Sequence, residues 1–346
     1  MEKLISLKPP LYDQSGFLRE IASGFEKAQV FFTALELKIF NYLDEFKTAR
    51  DIAQEIKTHD VLTEKLLDIL VAEGLLIKNG EYYKTRPELS PFLNESGPYF
   101  ARYLAFSLED RKDWMNLRQY LYEGVKEKSK NRETNHDYDK ECIDWIARGA
   151  MLGRLQATLK IIKELPEFLK AEKLIDLGCG HGLFGIGLAQ ENPKLKVILF
   201  DRPHVAKVAQ EYVNKYYLTD RVKVWAGDYI KDNLGSNYDI AFCSLSFDGN
   251  KEESISFFSK INNILNKKGL FILQTFTINN DKTGPISTLL WDLKETIDGH
   301  RHMHIFTDSE LDDIFKKSGF NKIKDVEMSS SSEMPIKTII VRKEKI

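Results

Sequence analysis

The spacing of apolar residues changes along the chain and predicts two kinds of structure. Between about residues 17 and 95, apolar positions recur at helical intervals, whereas after about residue 166 short continuous apolar runs alternate with amphipathic stretches. Runs of about four to eight apolar residues are typical of buried parallel strands. We therefore predict a mainly α N-terminal domain over 1–95, linking helices over 96–165 and an α/β domain over 166–346.

Seven segments in the C-terminal half, most of them apolar runs, predict the strands of a doubly wound sheet. Helical patterns separate the first five runs, so right-handed crossovers should make these strands parallel. The seventh run follows the sixth closely, and we expect the two to pair as a hairpin, with the seventh strand antiparallel to its neighbours. The predicted strand order is 3-2-1-4-5-7-6. The runs cover residues 174–177, 195–200, 221–226, 238–243, 267–274, 321–327 and 336–342.

The N-terminal domain carries the pattern of a winged helix-turn-helix. Two short helical patterns, over 48–56 and 62–73, precede an apolar stretch that contains Asn79–Gly80. An Asn-Gly pair between strands is typical of a two-residue hairpin turn. The second helix would enter a DNA groove, yet its charged side chains carry a net charge of −2, the wrong sign for contact with phosphates. Those side chains are Glu64, Lys65, Asp68 and Glu73. We therefore expect this domain to serve packing between subunits, and we expect no nucleic-acid partner.

The segment over 174–182 combines an apolar run, an acid and three glycines. The run ends on Asp176, and glycines follow at positions 178, 180 and 182. Glycine lets the backbone turn sharply and lie against a ligand. A strand, a glycine turn and a helix N-terminus together form a binding corner for a nucleotide.

Two nucleotide cofactors suit this corner. The spacing of Gly180, Gly182 and Gly185 fits a dinucleotide fingerprint. The longer pattern, which begins with Asp176, fits S-adenosylmethionine. A carboxylate at the strand end suits a ligand with a cationic amino-acid head, whereas it would repel a pyrophosphate. We favour S-adenosylmethionine, with an NAD-binding oxidoreductase or a cofactor-sensing regulator as alternatives.

Acids also follow the second and third predicted strands. Asp201 is placed to hold the ribose hydroxyls, with Arg202 beside it, and Asp228 and Tyr229 are placed to frame adenine. Asp176, Gly178 and Gly180 should line the methionine and ribose side. The predicted cofactor-binding residues are Asp176, Gly178, Gly180, Asp201, Arg202, Asp228, Tyr229 and Ser244.

Together with residues 200–205, these elements resemble the class I S-adenosylmethionine-dependent methyltransferases. Within that class the chain is similar to the winged-helix small-molecule O-methyltransferases related to caffeate, acetylserotonin and hydroxyneurosporene methyltransferases. The resemblance runs from about Phe17 to the C-terminus. It implies a Rossmann-like domain that binds S-adenosylmethionine, a homodimer formed through the N-terminal domain, and methyl transfer to a small, aromatic or otherwise apolar acceptor. The linking helices would wall the substrate cleft.

The resemblance also identifies candidate substrate residues. The segment over 144–151 is similar to one whose methionine lies near the methyl donor, so Trp145 and Met151 are candidates for substrate contact. Both residues equally suit an ordinary helix core.

The chain departs from the family where the catalytic base is expected. Related enzymes carry a histidine just after the fourth strand, whereas residues 243–250 contain none, and Gln274 stands where the orienting acid would be. One interpretation is that the acceptor reacts through an atom that needs little help in losing its proton, such as a thiol, an amine, an acidic hydroxyl or an activated carbon. A second interpretation is that Asp248, His302 or His304 acts as the base. The histidines of 299–304 would lie along one side of an extended segment. A third is a protein that binds the cofactor without transferring the methyl group.

Composition and charge limit the partners and the cellular compartment that we expect for this protein. The net charge is −2, so no bulk field attracts nucleic acid or anionic lipid. The three cysteines show no CxxC spacing and indicate reduced thiols, and no apolar run reaches the length of about 18 residues that a membrane span needs. We expect a cytoplasmic protein without a membrane partner. A metal held by the histidines and Asp248 is conceivable, but we predict no metal site.

Overall fold

Two separate sheets organise the two units into which the chain divides, Met1–Leu121 and Tyr122–Ile346. The computed structural model describes residues 15–100, 113–124, 138–297, 304–328 and 335–344. The boundary between the units falls inside the predicted linking region. The domain divisions at residues 95 and 165 stay predictions.

The N-terminal unit has the helix, helix and hairpin order that the sequence predicts. Its strands form a three-stranded antiparallel sheet in the order β1-β3-β2. The hairpin turn consists of residues 80 and 81, one position later than the predicted pair, and Gly80 adopts a φ of +60° there. The elements are α1 (Ser15–Glu36), β1 (Lys47–Thr48), α2 (Ala49–Ile56), α3 (Asp60–Ala72), β2 (Leu76–Asn79), β3 (Tyr82–Thr85), α4 (Ser90–Leu93) and α5 (Leu117–Glu123).

Local sequence explains where the first short helix of this unit begins. The Thr48 side chain accepts a hydrogen bond from the Asp51 amide, and the Asp51 carboxylate accepts one from the Thr48 amide. This reciprocal cap satisfies two backbone donors that a helix start leaves unpaired. Ile52, Leu67 and Leu70 are fully buried and hold α2 and α3 together.

The C-terminal unit contains the predicted seven-stranded sheet. Its strand order is β6-β5-β4-β7-β8-β10-β9, which is the predicted 3-2-1-4-5-7-6. β10 runs antiparallel to both β8 and β9, whereas the other neighbours are parallel, so both parts of the prediction are confirmed. The strands are β4 (Lys173–Leu177), β5 (Lys196–Asp201), β6 (Val222–Ala226), β7 (Tyr238–Ser244), β8 (Leu265–Phe276), β9 (Phe320–Met328) and β10 (Ile336–Lys343).

Helices cover both faces of this sheet and bury its apolar side chains. Phe184 and Leu188 of α8 pack on one face, and Phe258 and Phe315, from α10 and α12, stack on the other with ring centroids 5.2 Å apart. The helices are α6 (Lys140–Met151), α7 (Arg154–Lys163), α8 (Leu183–Glu191), α9 (Pro203–Lys215), α10 (Lys251–Ile264), α11 (Ile286–Ile297) and α12 (Asp308–Lys317). Among the described helices, none combines the length and the apolar character needed to cross a bilayer.

Candidate cofactor-binding and active site

A cavity of about 1020 Å³ opens in the C-terminal unit, at the carboxyl ends of its central strands. Parallel pairing brings these ends together, because Leu177 of β4 lies between Phe200 of β5 and Cys243 of β7. All eight residues predicted to bind the cofactor line this one cavity. A crevice at the carboxyl ends of parallel strands is where doubly wound sheets bind their ligands. The binding role of each residue stays a prediction.

Two glycines of the loop between β4 and α8 are required by its shape. Gly178 has a φ of +66°, and a Cβ there would lie 2.4 Å from the Cβ of Ser246. Gly180 has a φ of +55° and has open space where its Cβ would be. A side chain at position 178 would collide with the segment that follows β7, and one at position 180 would enter the space available to a ligand.

Asp201, at the end of β5, fastens the glycine loop to the sheet. Its Oδ2 accepts a hydrogen bond from the Gly180 amide at 2.8 Å, and its Oδ1 accepts one from the Arg202 amide at 2.7 Å. A carboxylate can accept about four hydrogen bonds, so acceptor capacity remains for two hydroxyl groups. Burial raises the pKa of Asp201. The arrangement suits a ribose.

Asp176, within β4, is an acid with an unsatisfied oxygen. Its side chain is 1% exposed, and its Oδ2 has no hydrogen-bond partner among the described residues. Burial, and then the nearby Asp201 carboxylate, raise the pKa of Asp176 to about 8. A buried, unpartnered acceptor in a native protein calls for an explanation. A bound cation such as an α-ammonium group would provide one, so the cavity fits a ligand with an amino-acid tail.

The loop after β6 also lines the cavity. The Tyr229 hydroxyl donates a hydrogen bond to the Ser246 carbonyl, and its ring centroid lies 5.4 Å from that of Phe257. Asp228 accepts a hydrogen bond from the Ile230 amide at 2.9 Å through Oδ1 and pairs with Lys231 through Oδ2. This carboxylate is therefore partly occupied by its own loop, and an adenine amino group would share it.

The remaining predicted residues fall in different places. Trp145 and Asp248 line the cavity, whereas Met151, at the end of α6, is not among the lining residues. His304 is exposed, its ring 4.8 Å from that of Phe306, and it does not line the cavity either. His302 lies outside the described residues. The described part of the chain contains no group of three His, Cys, Asp or Glu side chains placed to hold a metal ion.

Gln274, in β8, has a structural role in the described unit. It is fully buried, its Oε1 accepts a hydrogen bond from the Ser244 hydroxyl at 2.7 Å, and its Nε2 donates to Thr158 at 2.8 Å and to Thr338 at 3.0 Å. Its amide thus joins three strands and α7. Because its amide makes these hydrogen bonds within the core, the Gln274 side chain does not orient a base in the cavity.

Two lining residues, Arg154 and His181, were missed by the sequence reasoning. Arg154 begins α7, and its guanidinium lies 5.2 Å from the ring centroid of Phe184; burial lowers its pKa to about 10. His181 is 2% exposed, its Nδ1 accepts a hydrogen bond from the Leu183 amide at 3.0 Å, and burial, followed by the Arg154 charge, lowers its pKa to about 3. An arginine directly after Gly153 in an apolar helical pattern was the signal available in the sequence.

Comparison with known proteins agrees with this architecture. A model of an O-methyltransferase domain matches residues 146–321, and a model of an O-methyltransferase dimerisation domain matches residues 19–92. The chain is 32% identical over 281 residues to the uncharacterized protein MJ0086 of Methanocaldococcus jannaschii, which covers 78% of this chain and 73% of that protein.

Two further relatives have assigned activities. The chain is 21% identical over 331 residues to 3-hydroxy-5-methyl-1-naphthoate 3-O-methyltransferase of Streptomyces sahachiroi, with 93% of this chain and 94% of the relative covered. It superimposes on human N-acetylserotonin methyltransferase, solved in complex with S-adenosylmethionine, with a TM-score of 0.69 at 20% identity, covering 98% of this chain and 100% of that one. The family match favours S-adenosylmethionine over the dinucleotide alternative. The chain therefore belongs to the O-methyltransferase family and is an S-adenosylmethionine-dependent methyltransferase.

Proposed function

We propose that the protein methylates a small, aromatic or otherwise apolar acceptor at an atom that needs little help in losing its proton. The observation that carries this proposal is that no histidine in the described ranges is suited to act as the general base. Among the histidines in the described ranges, His181 alone lines the cavity. Its low basicity and its occupied Nδ1 make it a poor general base, because an effective base has a pKa near the working pH.

The walls of the cavity suit a flat, apolar acceptor. Trp145, Phe276 and Trp291 line it, and the rings of the last two lie 5.2 Å apart. Aromatic walls with a few polar groups are typical of small-molecule sites.

The chain's own residues then act mainly by holding the reactants in position. S-Adenosylmethionine, when bound, supplies a sulfonium methyl group, and its transfer releases the sulfur as a neutral thioether. Asp201 would orient the ribose, Asp228 and Tyr229 the adenine, and Asp176 the amino-acid tail. Alignment of the nucleophile with the methyl carbon then provides most of the rate enhancement. Thiols, amines, activated carbons and acidic hydroxyls suit such a site.

A second candidate mechanism uses Asp248 as the base. Asp248 lines the cavity and lies within the segment, residues 243–250, in which the family's histidine is expected. A carboxylate within hydrogen-bond reach of a phenol acceptor would take up its proton. His302 and His304 stay predictions in the same role.

A panel of acceptors distinguishes these mechanisms. Purified protein is incubated with S-adenosylmethionine and one of four aromatic acceptors: an aryl thiol, an arylamine, a hydroxynaphthoate or a benzyl alcohol. Formation of S-adenosylhomocysteine is measured by chromatography. We expect transfer to one or more of the first three and none to the alcohol. Comparable transfer to the alcohol would contradict the proposal. If Asp248→Asn loses transfer to the hydroxynaphthoate, which carries a phenolic hydroxyl, but keeps transfer to the aryl thiol, Asp248 is the base.

The N-terminal unit is proposed to form a homodimer. Its match to the dimerisation domain family supports this, as do large apolar side chains exposed along one face of α1. Phe17, Ile21 and Phe25 are 67%, 62% and 58% exposed, and their spacing of four residues puts them on the same side of the helix. An apolar face of this kind is typical of an interface between subunits.

A further inference from the structure

Arg154 carries a charge that no described residue neutralises. No carboxylate lies within ion-pair distance of its guanidinium in the described ranges, and its one ring contact is with Phe184. Burial is the sole influence on its pKa, so no acid lies near enough to raise it. A partly buried, unpaired guanidinium is unfavourable unless a ligand supplies the missing anion.

The position of Arg154 indicates which part of a ligand it would meet. Arg154 lies near His181, because its charge helps to depress the basicity of that ring, and His181 follows Gly180 directly in the loop. The Gly180 amide is held by Asp201, the predicted ribose contact. Arg154 therefore lines the cavity beside the glycine loop, next to the residue that follows Gly180.

The start of α8 lies at the same end of the cavity. His181 and Phe184, which flank the N-terminal turn of this nine-residue helix, both line the cavity and both adjoin Arg154. The first amides of a helix carry partial positive charge and favour an anion. Arg154 and the N-terminus of α8 together form an environment suited to a carboxylate.

Asp176 supplies a complementary acid in the same cavity. Its buried Oδ2 requires a cation or a donor, and the Arg154 guanidinium requires an anion. An α-amino acid carries both groups on one carbon atom. A pyrophosphate would satisfy Arg154 but be repelled by Asp176, and a simple cation would satisfy only Asp176.

We propose that Arg154 binds the α-carboxylate of the methionine tail of the cofactor, while Asp176 receives the α-ammonium. This inference rests on the cofactor assignment of the proposed function, and it adds a residue that the predicted cofactor set lacked. The guanidinium offers two parallel donors to a carboxylate, a geometry that an ammonium cannot reproduce. Arg154 thus provides selectivity for a ligand with an intact amino-acid tail.

Two ligands that differ only in this tail test the proposal. S-Adenosylhomocysteine carries the amino-acid tail, whereas 5′-methylthioadenosine has the same adenosine and sulfur without it. Calorimetry of the full-length protein gives both affinities. We expect Arg154→Met to weaken binding of S-adenosylhomocysteine roughly 10- to 100-fold and to leave binding of 5′-methylthioadenosine within about twofold. Arg154→Lys should fall between the wild type and Arg154→Met.

Arg202 provides the matched control. Its side chain lines the same cavity beside Asp201, with its guanidinium carbon 5.1 Å from the Tyr138 ring centroid. Arg202→Met removes the same charge at the ribose end, so the two ligands should respond alike and their affinity ratio should not change. If Arg202→Met lowers that ratio as much as Arg154→Met does, the effect comes from the general loss of positive charge and the proposal is overturned.

Other outcomes are equally decisive. Unchanged binding of S-adenosylhomocysteine by Arg154→Met would overturn the inference and indicate an anion of the acceptor instead. Equal loss for both ligands would also overturn it. If Arg154→Met does not fold, the intermediate ratio expected of Arg154→Lys still decides the question. Failure of the wild type to bind either ligand would overturn the cofactor assignment, and with it the inference, whereas tail-selective binding without methyl transfer would overturn the proposed function and leave the inference intact.

Discussion

The carboxylate of Asp201 accepts a hydrogen bond from the backbone amide of Gly180, with 2.8 Å between the two atoms. The bond joins the end of β5 to the turn that follows β4, so one side chain both shapes the glycine loop and faces the cavity. Asp201 is 7% exposed, and the loop amides of Gly178 and Cys179 bond to the Phe200 carbonyl beside it. The loop is therefore set in its shape before any ligand binds.

We expect Asp201→Ala to weaken binding of S-adenosylhomocysteine and of 5′-methylthioadenosine by at least about tenfold, because charged hydrogen bonds to the ribose are lost in both complexes. Calorimetry provides the measurement. Asp220→Asn is the control, because Asp220 is an exposed acid at the opposite end of the sheet. Unchanged affinity of Asp201→Ala would remove Asp201 from the ribose contacts.

Asp176 should make binding depend on pH. Its pKa of about 8 means that the free protein holds a proton there at neutral pH, and a cation bound beside it requires the carboxylate. Binding of S-adenosylhomocysteine should therefore release a proton, and its affinity should rise with pH up to about 8 and then level off. Calorimetry in buffers of different ionisation enthalpy measures the released proton. 5′-Methylthioadenosine, which has no ammonium group, should show neither effect, and a proton released with both ligands would contradict this assignment.

The Asp176 carboxyl should also make the stability of the ligand-free protein depend on pH. The folded-state pKa is raised to about 8 from an ordinary value of 3.8, so the folded protein keeps a proton that the unfolded chain loses. Stability should fall as pH rises between these two values, by up to about 1.4 kcal/mol per pH unit. Denaturant unfolding at a series of pH values should show a smaller decrease for Asp176→Asn than for the wild type. An equal decrease in both would indicate that another group is responsible.

The sequence predicted the sheet because most of its strands are short and buried, and because clear helical patterns separate the first five. Residues at or just after the ends of those strands, such as Asp201 and Tyr229, could be placed at the cavity because parallel strands bring their carboxyl ends to one edge. For the same reason the glycine loop was predictable from spacing alone. For the sheet and the glycine loop, a local sequence pattern and one rule of sheet topology were sufficient to predict the structure.

Arg154 and Gln274 show what the sequence could not give. Each lies in a segment whose apolar pattern predicts only burial. The cavity contact of Arg154 depends on how α7 packs beside α8, and the bonds of Gln274 depend on the approach of Thr158 and Thr338 from distant parts of the chain. Long-range packing decides which buried polar residue faces a ligand and which one joins the elements of the core.

Lys260, on α10, should position the adenine end of the cavity. Its Nζ donates hydrogen bonds to the carbonyls of Tyr229, Ile230 and Asp232 at 3.0, 2.8 and 2.7 Å. We expect Lys260→Met to lower affinity for both adenosine ligands by a similar factor, roughly 3- to 30-fold, because three carbonyls lose their donor and the loop is freed. Calorimetry measures this loss, and Lys267→Met, at an exposed position, serves as the control. A change in the ratio between the two ligands would argue for a different role.

The exposed face of α1 should hold the dimer together. We expect Ile21→Asp to shift the protein from dimer to the 40.0 kDa monomer, because the buried interface would then contain an unpaired charge. Sedimentation velocity over a range of concentrations measures the change. Ser23→Asp adds the same charge on the opposite side of the helix and should leave the dimer unchanged. A wild-type protein that remains monomeric at high concentration would contradict the proposed homodimer.

His181 should make the fold sensitive to acid. Its pKa is lowered from 6.5 to about 3, so below pH 6.5 the unfolded chain gains a proton that the folded protein does not accept. Stability should therefore fall with decreasing pH over that interval, by up to about 1.4 kcal/mol per pH unit. His181→Asn keeps a short acceptor near the Leu183 amide and removes the titration, so its unfolding free energy should change less between pH 7 and pH 4.5. His59→Asn, at an exposed position, should behave as the wild type does. If His181→Asn were as acid-sensitive as the wild type, the ring would be accessible to protons, and His181 would return as a candidate base for the transfer.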